Sequence, residues 1–99
     1  MNGRIQYEFM ASIWQYAGQG GWCFVSLPPE LSVEIREHFQ PMEEGWGRLK
    51  VTAKIESSEW KTSIWFDTKI NTYLLPLKVE IRKKEKLKVD DVIQIVITI

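Results

Sequence analysis

The stretch "WKTSIWFDTKINTYLLPLKVEIRKK", residues 60–84, decides how this chain is read. It holds two runs of alternating apolar and polar residues, separated by the polar "DTKIN" at 67–71. A period of two suits a strand with one buried face, because successive side chains point to opposite sides. In the first run, 59–66, Trp60, Thr62, Ile64 and Phe66 take the inward phase, and Lys61, Ser63 and Trp65 the outward one. In the second, Tyr73, Leu75, Leu77, Val79 and Ile81 share a phase, which predicts a strand over 72–83. Pro76 has no N–H for a ladder, so that strand is expected at an edge, a bulge or a strand start.

The same alternation recurs outward from this stretch. In "RIQYEFMASIW", 4–14, Ile5, Tyr7, Phe9, Ala11 and Ile13 oppose Arg4, Gln6, Glu8 and Ser12. "AGQGG", 17–21, is a glycine turn, and "WCFVSL", 22–27, its antiparallel return. "RLKVTAKI", 48–55, puts Leu49, Val51, Ala53 and Ile55 inward. The period changes in "PPELSVEIREHF", 28–39, where Leu31, Ile35 and Phe39 recur every fourth residue behind Pro29, predicting one short helix that closes an end of the molecule. "QPMEEGWG", 40–47, is a loop and "KEKLKVDD", 84–91, a charged connection. "VIQIVITI", 92–99, is a β-branched strand nearly apolar on both faces, so it lies deep in the sheet or pairs with a second copy in a homodimer. The expectation is an all-β fold: a small split barrel, closed or nearly closed, of about six mainly antiparallel strands with one helix, in a single domain over 1–99.

Composition narrows the function classes. Lys plus Arg and Asp plus Glu number 13 each, so the net charge is zero, which disfavours strong electrostatic binding to nucleic acid or an anionic membrane. Cys23 is the only cysteine and His38 the only histidine, leaving no intrachain disulfide, no Cys-based zinc site and no His-rich metal site. No cofactor is indicated. The N-terminus has no signal-peptide pattern and no apolar run nears the roughly 20 residues of a membrane span, so a cytoplasmic protein is expected.

Individual constellations have plain explanations beside functional ones. "GQGG" at 18–21 lacks the Gly-Lys-Ser/Thr of a phosphate loop and precedes a strand, so it reads as a hairpin turn. Lys61 and Ser63 share a strand face, where a Ser–Lys nucleophile would need a desolvated lysine. Arg82, Lys83, Lys84, Lys86 and Lys88 form a basic run that suits a phosphate backbone or, more plainly, a solvated hairpin flanked by Glu80, Asp90 and Asp91. Of five tryptophans, Trp14 and Trp65 fall out of phase with their apolar faces and are candidates for exposed rings. Cys23 reads as a core residue, His38 as a cation at a helix C-terminus, and Glu43 and Glu44 as loop carboxylates without a visible partner.

In order, "YEFMASIW", "GGWCFVSLPPE", "LSVEIRE", "WKTSIW", "YLLPLKVEIRK" and "KVDDVIQIVI" resemble a small bacterial and archaeal family catalogued as a domain of unknown function. The resemblance runs from about Tyr7 to the end, with matches at Pro28, Trp60, Thr62, Ser63, Tyr73, Leu75, Pro76, Leu77, Arg82 and Asp91. It implies a split barrel with one helix, found alone or before OmpD-associated, bacteriocin-protection-like regions, and it implies no activity. The family pattern places Gly-Asp before the last strand where this chain has Asp90-Asp91, and a positive φ there suits aspartate less well than glycine.

The leading functional expectation is a non-enzymatic module for binding or interaction. Its site is expected where the polar face of 61–65 meets that of 78–82, at Lys61, Ser63, Trp65, Lys78 and Arg82, if the two strands are hairpin neighbours. The alternatives are a nucleic-acid-binding barrel using 82–88 and a small hydrolase using Ser63.

Overall fold

Every strand predicted from alternation forms, and each finds its neighbours by burying its apolar phase. In the computed structural model, which describes residues 4–18 and 20–99, the elements are β1 (Gln6–Gln15), β2 (Cys23–Ser26), α1 (Pro29–Phe39), β3 (Arg48–Ile55), β4 (Ser58–Asp67), β5 (Thr72–Leu77), α2 (Val79–Lys84) and β6 (Val92–Thr98). Gln19 of the 17–21 turn and the side chain of Trp46 lie outside the described residues. The strands form a closed barrel in the order β1-β2-β5-β4-β3-β6, with β6 paired to β1 and all pairs antiparallel.

The register carries the inward phases to one interior. Leu49 sits opposite Ile64, Val51 opposite Thr62 and Ala53 opposite Trp60, while Phe9 faces Ile95 and Val25 faces Leu75. Ile13, Val25, Leu49, Ile64, Tyr73, Leu75, Ile95 and Ile97 are all but fully buried. The apolar last strand is satisfied within the chain, since β6 lies between β1 and β3 and uses both edges. Closure runs on past the strands: Ile5 and Ile99 exchange backbone hydrogen bonds of 3.1 and 2.9 Å.

Helix α1 begins on Pro29 and lays Ile35 and Ser32 against the barrel. Ser32 Oγ accepts the backbone N–H of Tyr73 at 3.0 Å, which fixes the helix to β5.

The strand expected over 72–83 ends at Leu77, and residues 79–84 form the second helix, α2. Val79 is therefore half exposed rather than core. Two apolar positions cannot separate a period of two from the face of a short helix, and "EIRKK" is made of good helix formers. Glu80 lies in the first turn and Arg82, Lys83 and Lys84 in the last, as the helix dipole favours. The helix stops in a left-handed cap at Lys86 (φ 57°), with Leu87 N–H donating to Arg82 O at 2.8 Å. Asp90 also has positive φ, 76°, in the turn before β6.

Candidate functional site

The β4–β5 ladder is one of three short seams of the barrel, with three registered pairs, like β1–β2 and β3–β6. β4 pairs with β3 from Ser58 through Trp65, but with β5 only over Trp65–Asp67 against Thr72–Leu74. Two residues further in the same register Ser63 would face Pro76, which has no N–H to give, and the ladder stops short of it.

An open groove of about 600 Å³ lies over this seam and crosses the outer faces of β4, β3 and the end of β6. Its cations come from separate parts of the chain: Arg4 ahead of β1, Arg48 and Lys50 on β3, Lys61 on β4 and Lys78 after β5. Among the described residues no Asp or Glu side chain lines it. Ser63, Thr52 and Thr98 add hydroxyls between the cations, and Val51 and Thr62 of the inward register also contribute. Cross-strand register fixes this pattern, with Trp65 opposite Arg48, Ser63 opposite Lys50, and Lys61 opposite Thr52. Trp65 is 48% exposed and also borders a second hollow of about 510 Å³, formed with Phe66, Asp67 and Lys69.

Glu44, just outside, engages two of these cations, Arg48 at 3.6 Å and Lys50 at 3.4 Å. A two-way backbone bridge between Glu44 and Arg48 holds it there.

Four of the five expected site residues, Lys61, Ser63, Trp65 and Lys78, border this groove. Arg82 does not, because it rides on α2, where its Nε donates to Leu77 O at 3.3 Å. Sequence reasoning missed Arg4, Arg48 and Lys50. Arg48 and Lys50 had a signal in the outward phase of 48–55, whereas Arg4 arrives only through barrel closure.

A serine nucleophile has no support from its surroundings. Lys61 is exposed, and among the described residues no side-chain hydrogen bond joins Ser63 to a base. Trp14, the other candidate ring, stacks on Phe24 with centroids 5.1 Å apart and donates Nε1–H to Ser26 Oγ at 3.0 Å. Trp60 packs against the core with its indole N–H buried and unpartnered. Cys23 is buried in β2.

Glu43 does have partners. It accepts a hydrogen bond from the buried Tyr73 hydroxyl and lies 3.9 Å from Arg36, whose guanidinium covers the Phe66 ring at 3.9 Å. Burial first, then the bond to Glu43, pushes the Tyr73 hydroxyl well above the usual tyrosine range. This cluster fastens α1 and the following segment to the barrel.

Among the described residues no group of three or more His, Cys, Asp or Glu could hold a metal ion, and no helix is long and apolar enough to cross a membrane. The family described as "Domain of unknown function (DUF1905)" matches residues 9–97. No curated protein matches the chain.

Proposed function

The chain belongs to the DUF1905 family, a domain of unknown function, and from that premise we propose that it is a non-enzymatic binding module whose seam groove takes an anionic ligand carrying a flat ring. One observation supports the reading above others. In a protein of zero net charge, five cations and no acidic side chain line one groove beside an exposed tryptophan. Such clustering creates a local positive potential that the net charge conceals. The ring of Trp65 offers a stacking face, and Lys61, Lys78 and Arg4 have no ion-pair partner among the described residues. Ser63, Thr52 and Thr98 supply donors for oxygens between those charges. Within this proposal the chain is one domain acting in the cytoplasm, where an unpaired cysteine such as Cys23 is ordinary.

Titration of intrinsic tryptophan fluorescence with adenosine monophosphate, ribose 5-phosphate and inorganic phosphate tests the reading. Adenosine monophosphate should bind tightest. Lys61→Gln should weaken all three ligands, and Trp65→Ala only the one with a flat aromatic ring. No saturable binding of any of them in the millimolar range would overturn it.

A further inference from the structure

The groove does not end at Lys78. That residue also borders a hollow of about 310 Å³ walled by Trp22, Val79 and Arg82. Val79 and Arg82 in turn border a third hollow, of about 520 Å³, with Lys83, Lys86 and Lys88. The three concavities are therefore neighbours, each sharing at least one wall residue with the next. Together their walls hold nine of the chain's 13 lysines and arginines, and Glu80 is the single acidic side chain among the described residues that line them. Two exposed rings stand along the way, Trp65 (48% exposed) before Lys78 and Trp22 (57% exposed) after it.

We infer that this path is a track for single-stranded nucleic acid, an inference that rests on the groove reading above. Cations set in successive neighbouring hollows match a phosphate backbone, and exposed tryptophans among them match unstacked bases, a pairing that binds strands without regard to sequence. An acidic peptide would use the lysines equally well and leave both rings idle. A duplex hides its base faces from them. The longest dimension of the molecule, 34 Å, leaves room for only a short segment, at the low end of the roughly 4–16 nucleotides that small barrels occupy.

Fluorescence anisotropy of labelled 12-nucleotide oligo-dT and oligo-rU tests this, with adenosine monophosphate, the matching duplex and a 12-residue oligoglutamate as competitors. At least one single strand should bind more tightly than all three, and comparing the two oligomers separates DNA from RNA. Trp22→Ala and Trp65→Ala should each weaken binding about 5- to 100-fold while leaving thermal melting unchanged, since both rings are exposed. Lys83→Gln with Lys86→Gln should lower the slope of log affinity against log salt by about 1.4. An oligomer that binds no better than adenosine monophosphate, or that ignores Trp22→Ala, overturns the track and leaves the groove standing. Equal competition by oligoglutamate or duplex overturns it too. Failure of both the oligomers and adenosine monophosphate removes the groove reading as well.

Discussion

Replacing Tyr73 by phenylalanine removes one oxygen from a fully buried side chain, so nearly all of its effect should come from one hydrogen bond. The ring remains, edge-on to Phe66 with centroids 5.0 Å apart, and no sizeable cavity opens. What is lost is the donor to Glu43, whose side chain is 8% exposed and, among the described residues, keeps only Arg36, at 3.9 Å. A hydrogen bond to a charged group contributes about 1.5–3 kcal/mol, and a carboxylate left under-satisfied while buried puts the loss at about 2–3 kcal/mol. For a domain of this size that corresponds to about 10–20 °C in Tm. Urea melts should show the midpoint falling with an unchanged slope. A cycle with Glu43→Gln should show coupling of about 1 kcal/mol or more, because the two residues act through the same contact. The pH dependence gives a second readout. Because the folded hydroxyl titrates above its unfolded value of 10.0, its contribution is complete below that pH and is lost as the pH climbs past it and on through the raised folded value. The gap between wild type and Tyr73→Phe should therefore narrow in alkaline solution. A loss below about 0.5 kcal/mol, or additive effects of the two substitutions, would refute the reasoning.

Asp90→Gly relieves a left-handed residue at φ 76° and should stabilise the protein by about 0.5–1 kcal/mol in a thermal melt, the glycine's extra unfolded-state freedom offsetting part of the gain. Glu44→Gln frees Arg48 and Lys50 and should tighten adenosine monophosphate binding up to about fivefold, the range expected for exposed ion pairs, in the same fluorescence titration. The Ser58 hydroxyl above all, with help from Ser57 and Lys84 and against some desolvation, holds the Glu85 carboxyl below its usual 4.5. That contribution is present above the unfolded value and fades as the pH falls through the lowered one. Urea melts from about pH 5 down to about pH 3 should thus show a flatter acid limb for Ser58→Ala than for wild type.

The barrel was legible because each strand carries its own address. In 48–55 and 59–66 the inward residues could be named one by one, and they meet in the register found, Leu49 on Ile64 and Ala53 on Trp60. Residues 79–84 were misread because Val79 and Ile81 continue the phase of β5 even though the chain has turned into a helix. A short pattern cannot show where one period gives way to another. The groove was half visible. Lys61, Ser63 and Trp65 declare themselves by phase, but Arg4 joins them only once β6 closes on both β1 and β3, and no single stretch records that order. The partnership of Glu43 with Tyr73 spans 30 positions and is set by the path of α1 across the barrel end, so a local reading leaves the carboxylate alone.

The paired backbone bonds of Ile5 and Ile99 have a mechanical consequence. Both residues sit at the same end of the antiparallel β1–β6 ladder, which runs from Gln6 opposite Thr98 to Ser12 opposite Val92. Tension applied between Ile5 and Ile99 would load its rungs one after another, as in opening a zipper, and little force should suffice. Tension between Gln15 and Ile99 pulls from opposite ends and strains all the rungs together in shear. The same wall should be soft or stiff according to where it is gripped.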